Sequence, residues 1–583
     1  MEQEVKRLPY GIYDFVSVIE QNQYYVDKTM YLPKLEEQPS NIILIRPRRF
    51  GKSIFLSMLH AYYDCRMKSK FQSLFGNLWI GKHPTPLQGK YQILHLDFSY
   101  VGGGIEKLEE NFNEYCRCSL NEFMDTYGDS YPEETKKEFY ATNNAATKLV
   151  ILNNKARSLR IPLYLIVDEY DNFTNVVLNE QGERVYWAIT HADGFYRDIF
   201  KKFKGMFERI FITGVSPVTL DDVTSGFNIG WHISTKPEFN QMLGFSTEEV
   251  REMFTYYKNA GSLPADCNIE AMIYEMKPWY DNYCFSEEAL NTQSRVFNCD
   301  MVIYYLRHYI DRGDAPKQMI DPNTMMDYGK MKKLLQLDKL DGDRKGVIST
   351  IAETGQVIAP LVETFSAYRL TDPQIFTSLL FYYGMLTING TRGDKMIFGI
   401  PNNNVRKQYY GYLKELYDAK SYVDTNLLTD YYYDMAYDGK WSEGLQFMAD
   451  AYSNVSSVRD GIESERNLQG FFMAYLNLNN YYYTAPELEL NHGFCDFFLL
   501  PNLTHYATKH SYILELKVLS KKDYDEKPED GKPSKAEKQW EEAVKQINGY
   551  AIAPRVEALR QGTTLHKIIM QFVAGKLVRM EEV

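Results

Sequence analysis

The sequence predicts an α/β chain in three parts: a parallel sheet wrapped by helices, a mostly helical middle, and a smaller α/β unit at the C-terminal end. Three observations lead there. Over the first 235 residues, short apolar runs (Ile42–Ile45, Ile93–Phe98, Leu163–Val167, Ile210–Thr213) alternate with amphipathic stretches around 105–125 and 134–159. That is the pattern of strands buried on both faces with helices crossing between them. From 236 the apolar spacing turns helical, and beyond about 440 a helix, three strands, a charged loop and a second helix follow. The boundaries so drawn are 1–235, 236–440 and 441–583, in keeping with about three domains for this length.

Composition bounds the rest. No stretch is apolar for long enough to span a membrane, and the N-terminal Met1-Glu2-Gln3-Glu4-Val5-Lys6-Arg7 lacks the apolar core of a signal peptide. A cytoplasmic location without a membrane partner is expected. The net charge of −12 supplies no global field for nucleic acid, so contact with it needs local basic patches. The seven cysteines are scattered without a CxxC pair, and Cys116-x-Cys118 has no partner at zinc spacing. Reduced thiols without zinc are expected.

The first element to carry chemistry is Arg46-Pro47-Arg48-Arg49-Phe50-Gly51-Lys52-Ser53, between the apolar run Ile42–Ile45 and the helix-like Ile54–Leu59. Strand, Gly-Lys-Ser turn and helix form the context of a phosphate-binding P-loop, with arginine where the first glycine usually stands. In that reading Gly51 and the helix end face the phosphates of ATP, Lys52 reaches the β- and γ-phosphates, and Ser53 ligates Mg2+. The strand Leu163–Val167 ends in Asp168-Glu169. Asp168 is expected to hold the magnesium and Glu169 to polarise the attacking water. One further strand, Ile93–Phe98, lies between the two motifs in sequence, the order of additional-strand P-loop NTPases with a catalytic glutamate. Arg209–Gly214 then supplies Thr213 as a γ-phosphate sensor. Arg46, Arg48 and Arg49 either clamp phosphate or acidic side chains, or form ion pairs with a neighbouring helix.

In the middle, Ser246-Thr247-Glu248-Glu249-Val250 reads as a capping box opening a helix. Residues 372–415 read as helix, hairpin and helix, with Met385–Asn389 pairing Lys395–Pro401 across Gly390–Asp394. That arrangement is either winged-helix-like or a helical lid carrying one exposed hairpin.

Tyr25-Val26-Asp27-Lys28-Thr29, RPRRFGKS, Leu94-His95-Leu96-Asp97-Phe98-Ser99, Thr213-Gly214-Val215-Ser216-Pro217, Ser225-Gly226-Phe227-Asn228 and Trp279-Tyr280-Asp281-Asn282-Tyr283 together resemble the bacterial AAA-ATPase-like proteins. The arginine in place of the first glycine is usual in that family. Its last motif usually reads Tyr-x-Gly-Tyr, so Asn282 departs from it. The resemblance implies a C-terminal nuclease-like domain of the PD-(D/E)xK type, with a restriction-endonuclease-like α/β fold.

The residues at that end suit such chemistry, which needs clustered carboxylates for magnesium and a cation to orient water or stabilise charge. Asp496 opens an apolar strand, and Glu515 and Lys517 share one face of the next by period-two alternation, opposite Leu514 and Leu516. Asp496 and Glu515 are the expected metal ligands. The resemblance adds Glu465 on the preceding helix, with Glu463 as a rival, and Gln546 on the following one as accessory polar positions. Lys521, Lys522, Lys527, Lys532 and Lys535 lie in a loop whose interleaved acids leave it nearly neutral, so a solvated loop is expected. The expected function is an ATP-binding P-loop switch controlling a Mg2+-dependent nuclease domain, with DNA ahead of RNA as substrate, in defence or mobile-element control. The alternative is a signalling ATPase whose nucleotide state governs assembly and whose C-terminal domain binds nucleic acid without cutting. A homo-oligomer fits either.

Overall fold

The computed structural model describes residues 4–172, 187, 190, 194–217, 230–321, 344–365, 372–419, 421–456, 465–490, 493–503, 505–528 and 533–583. The chain packs as two compact units, one of Met1–Arg344 with Val357–Asn404, the other of Lys345–Gln356 with Val405–Val583.

In the first unit, strands β1 (Asn41–Ile45), β2 (Gln92–Asp97), β3 (Leu163–Asp168), β4 (Arg209–Gly214) and β5 (Trp231–His232) form a parallel sheet in the order β2-β3-β4-β1-β5. Their side chains are almost all buried, as expected for strands with both faces covered. Helix α1 (Lys52–Tyr63) packs on β2 and β3, and α2 (Leu108–Tyr127) on β2. The strand that separates β1 from β3 in space is β4, whereas β2, which separates them in sequence, pairs only with β3. Thr213 pairs with Leu44 on one side, while its neighbour Ile212 pairs with Val167 on the other. The stretch read as continuous over 134–159 divides into α3 (Glu133–Ala141) and α4 (Ala145–Leu159). Asn144 breaks it, because its side chain accepts the Thr147 amide at 2.9 Å and starts a new helix.

Helix α5 (Thr247–Asn259) opens on the capping box read from sequence. Ser246 Oγ accepts the Glu249 amide at 3.2 Å, and Glu249 Oε2 accepts the Ser246 amide at 2.8 Å. Glu249 also pairs with Lys28 at 2.6 Å, tying α5 to the Tyr25–Thr29 motif. Helix α6 (Cys299–Arg312) follows, then α7 (Pro373–Tyr382) and the hairpin β6 (Thr387–Arg392) with β7 (Lys395–Gly399). The hairpin extends further than the sequence suggested, leaving a two-residue turn. Gly393, at φ +67, supplies the positive φ that such a turn requires.

The second unit is built on β8 (Tyr482–Leu490), β9 (Gly493–Pro501), β10 (His510–Leu519), β11 (Thr564–Val573) and β12 (Lys576–Glu582), paired in that order. Only β10 and β11 run parallel. The last two strands were not anticipated. Helix α8 (Glu465–Leu476) precedes the sheet, and α9 (Lys535–Ala551) crosses between β10 and β11. The apolar face of α9 (Trp540, Ala543, Ile547, Tyr550) forms one core with Phe498, Ile513 and Ile569.

Candidate functional site

The turn from β1 into α1 passes through Arg49 at φ +66 and Gly51 at φ +89, the left-handed region that glycine enters without penalty. Lys52 and Ser53 are then the first residues of α1. The buried Lys52 amino group donates to the carbonyls of Arg46 and Pro47 at 3.3 and 3.2 Å, and it lies 3.7 Å from Glu169. Ser53 Oγ donates to Asp168 Oδ2 at 2.8 Å. The parallel register sets Asp97 directly beside Asp168. Burial and then Glu169 push the Asp168 carboxyl up to about 7, against the pull of Lys52 and Ser53. Burial likewise raises Asp97. Asp97, Asp168 and Glu169 feel one another's charge, but among the described residues no three such groups gather as a metal cage, so Asp168 with the Ser53 hydroxyl is the pair that would hold a divalent cation. Asp97 was missed as a site residue, although its strand was read; only the register with β3 reveals it.

Lys52, Ser53, Asp97 and Glu169 line one part of a cavity of about 600 Å3, with Arg48, Arg49 and Gly51 beside them. The remaining lining is largely apolar, including Ile12, Val26, Met242, Met253 and Ile303. Such a volume with one polar end fits a nucleotide. Ser225–Asn228 lies outside the described residues.

Two of the arginines do other work. Arg46, expected to meet the nucleotide, is buried and turned inward. Its guanidinium donates to the carbonyls of Ile45, Ser234 and Phe239 at 3.0, 2.6 and 2.9 Å and stacks 4.2 Å from the centre of the Phe285 ring. It braces the loop from behind and does not line the cavity, which corrects the expectation. Arg49 lines the cavity but pairs with Asp300 in the first turn of α6, as in the ion-pair alternative. Thr213 is buried, and its Oγ1 has no hydrogen-bond partner among the described residues. The Trp279–Tyr283 motif also buttresses the loop, since the Phe50 ring stands edge-on to Tyr283 at 4.9 Å. Asn282 lies at φ +88, which accounts for glycine being the usual residue there.

In the second unit, period-two alternation places Glu515 and Lys517 together: Lys517 Nζ donates to Glu515 Oε1 at 2.8 Å. Extending the β9–β10 register by one residue sets Asp496 opposite Glu515. Asp496 Oδ2 accepts the Leu516 amide at 2.5 Å, and its Oδ1 accepts Gln469 Nε2 at 2.6 Å. Gln469, one turn along α8 from Glu465, was missed, and a helical i, i+4 reading could have found it. Burial and the neighbouring Glu515 push Asp496 up to about 7, and burial raises Glu515 as well. Glu465 adds its charge to this group, raising both carboxyls. Glu463 lies outside the described residues. Gln546 is exposed and no hydrogen bond among the described residues joins it to the cluster; Tyr550, one turn further along α9, stands within electrostatic reach of Glu515 and Lys517.

Glu515 Oε2 is buried without a hydrogen-bond partner among the described residues. A buried carboxylate oxygen left open beside a second carboxylate is what a cation ligand looks like before the cation binds. Among the described residues no group of three or more His, Cys, Asp or Glu is arranged as a metal cage. Two carboxylates nonetheless fit magnesium, which keeps several waters of its own.

Residues 9–224 match the family model described as "Predicted AAA-ATPase", and residues 463–582 match the PD-(D/E)XK nuclease superfamily. The chain joins an AAA-ATPase-like domain to a PD-(D/E)XK domain. The P-loop, Asp97 and Asp168-Glu169 lie in the AAA-ATPase-like domain; Glu465, Asp496, Glu515, Lys517 and Gln546 lie in the PD-(D/E)XK domain. A protein of Azotobacter chroococcum mcd 1 named for the vnfD 5′ region is 26% identical over 303 residues, 49% of this chain and 50% of that relative. The match thus spans about half the length of the relative. Among the described residues no helix is long and apolar enough to cross a membrane.

Proposed function

We propose that this AAA-ATPase-like PD-(D/E)XK protein is a magnesium-dependent nuclease acting on DNA, with ATP binding and hydrolysis at its P-loop controlling the cutting. The observation that carries the reading is the Asp496–Glu515–Lys517 cluster: two buried carboxyls of raised pKa, one oxygen without a partner among the described residues, and an ammonium 2.8 Å from Glu515. When bound there, a divalent cation supplies a Lewis acid that lowers the pKa of a water and offsets charge on the phosphodiester. Asp496 and Glu515 would hold it. Leu516 N–H and Gln469 fix the Asp496 carboxylate, so its orientation is set before metal arrives. Lys517 is positioned to orient the attacking water or to neutralise charge on the phosphate. Glu465 would complete the acidic rim, with Gln546 as an accessory group.

At the P-loop, ATP would lie in the 600 Å3 cavity with its phosphates toward Lys52 and its base in the apolar part. Ser53 and Asp168 would hold the magnesium that accompanies ATP. Glu169, in the cavity lining, would polarise water, whereas Thr213 is buried outside that lining. Defence against mobile elements, or their control, is the setting that such a regulated nuclease suits.

The test compares wild type, Lys52→Ala and Lys517→Ala on plasmid, linear duplex, single strand and RNA, each with magnesium or manganese and with or without ATP. The proposal expects Lys517→Ala to abolish cutting and Lys52→Ala to abolish its response to ATP. Absence of cutting by wild type on every substrate, or undiminished cutting by Lys517→Ala, refutes it.

A further inference from the structure

The helix Thr425–Asp438 of the second unit has two unlike faces. One is packed: Leu428, Tyr432, Met435 and Ala436 are buried, and the Tyr432 hydroxyl donates to the Tyr475 carbonyl at 2.8 Å. The other carries Asp430, Tyr433, Asp434 and Tyr437, spaced i, i+3, i+4 and i+7 and so along one stripe. Tyr433 stands 50% exposed on it.

Two further tyrosines widen the stripe into a platform. The Tyr433 and Tyr437 rings lie 4.8 Å apart, and Tyr481, just before β8, stands edge-on to them at 6.3 and 5.8 Å. Tyr506, in the loop between β9 and β10, stands edge-on to Tyr481 at 5.1 Å. The backbone beneath these last two is held by Asn502. Its amide donates to the Tyr481 carbonyl at 2.9 Å, and its carbonyl accepts the Tyr506 amide at 3.1 Å. Its side chain donates to the Asn480 carbonyl at 3.0 Å and accepts the Tyr483 hydroxyl at 2.9 Å. Rings fixed in advance lose little freedom when a partner docks on them.

The platform is also negative. Aromatic faces carry negative potential, and Asp430 and Asp434 edge the rings one turn apart. Lys440, past the end of the helix, pairs with Asp438 at 3.0 Å, and Lys509 also acts on Asp438. Burial and the three neighbouring phenols raise the Tyr481 hydroxyl, and Asp430 adds to them. Exposed rings alone would stack a nucleobase as readily as a side chain. The two aspartates decide between these, because they repel a phosphate backbone and attract a cation. A guanidinium meets both demands: its plane stacks on a ring while its fork donates to a carboxylate. A compact, strongly hydrated ammonium meets them less well.

We propose that Tyr433, Tyr437, Tyr481 and Tyr506, edged by Asp430 and Asp434, form a docking surface for an arginine-rich segment of a partner protein. The proposal depends on neither the ATP site nor the nuclease reading.

The experiment titrates a fluorescent alternating arginine-glycine peptide with the full chain and reads anisotropy. It compares wild type, Tyr433→Ala, Tyr433→Phe and the pair Asp430→Asn with Asp434→Asn. Tyr274→Ala, which removes an 81% exposed tyrosine from the first unit, is the control. Tyr433→Ala leaves the net charge unchanged and should weaken binding about fivefold, as the loss of an exposed cation–π contact does. The asparagine pair should cost a similar factor that shrinks at high salt. Tyr433→Phe and Tyr274→Ala should stay within about twofold of wild type, and a lysine-glycine peptide should bind wild type less tightly. No peptide binding by wild type, undiminished binding by Tyr433→Ala, or an equal loss in Tyr274→Ala overturns the proposal. So does a single-stranded DNA oligonucleotide whose affinity falls in Tyr433→Ala, or self-association that Tyr433→Ala abolishes, since either identifies a different occupant. Should Tyr433→Ala fail to fold, the asparagine pair, which removes no packed ring, carries the test: unchanged affinity at low salt overturns the proposal, and a loss of about fivefold supports it.

Discussion

Arg46→Ala separates two roles for the arginine that stands where a P-loop glycine is expected. In the structure its guanidinium satisfies the carbonyls of Ile45, Ser234 and Phe239 and lies over Phe285. Truncation leaves three buried carbonyls without that donor, at about 1–3 kcal/mol each, and forfeits a cation–π contact of about 1 kcal/mol. Removing a buried charge returns part of this, because burial disfavours the ionised guanidinium. The net loss is about 4 kcal/mol, within the range for breaking one side of a buried charged network. For the about 390 residues of the first unit, an unfolding entropy of about 2.1 cal/mol/K per residue converts this to a fall of roughly 5 °C in the melting temperature of that unit. Scanning calorimetry or intrinsic tyrosine fluorescence reads it, with binding of an ATP analogue measured well below the transition. Arg46→Lys should lose about half as much, since one ammonium replaces a planar fork. A variant that melts like wild type yet binds nucleotide poorly would refute the reasoning, because it would show the guanidinium acting on phosphate.

Asn282→Gly should leave stability within about 0.5 kcal/mol of wild type, and Asn282→Val should cost about 1–2 kcal/mol, because a β-branched residue at φ +88 is strained; urea unfolding compares them. Gly384→Ala meets both φ +76 and a Cβ 2.9 Å from Pro47, so it should lower the melting temperature and weaken analogue binding, whereas Gly411→Ala, with open space, should do neither. With the Asp496 carboxyl pushed from 3.8 to about 7, metal must compete with a proton. Apparent Mn2+ affinity, measured by calorimetry on wild type without nucleic acid, should therefore rise up to about tenfold per pH unit as pH approaches 7 and level off above it; a flat profile between pH 5.5 and 7 refutes this. The same raised value makes the metal-free protein lose stability as pH climbs from about 4 to 7, since the folded state retains the proton that the unfolded state has shed. A urea midpoint that increases over that window in wild type but not in Asp496→Asn would contradict the sign.

Much of the site was legible because its chemistry lies in local strings. Period two alone brings Glu515 and Lys517 to one face, and the Ser246–Glu249 capping box forms as spelled. What escaped reading was set by register and by long-range burial. Asp97 joins Asp168 only because β2 and β3 pair in parallel with that offset. Gln469 reaches Asp496 only because α8 packs beside the sheet. Strands β11 and β12 escaped because their polar residues break any clear alternation, and their place is fixed by pairing with β10 and with each other.

By itself the sequence determined the kind of chemistry: Gly51-Lys52-Ser53 after a buried strand, Asp168-Glu169 at the end of another, and Asp496 with Glu515-x-Lys517 near the C-terminus. Residue type and short-range periodicity suffice for that, since they set which groups can ionise and which face they share. Tertiary structure decided which of these groups meet and which turn away. It sent Arg46 inward, because three carbonyls and an aromatic face outcompete water for its charge once the loop is buried, and it inserted β4 between β1 and β3. It also left Glu515 Oε2 without a partner among the described residues beside Asp496, a feature that depends on what surrounds the side chain in space.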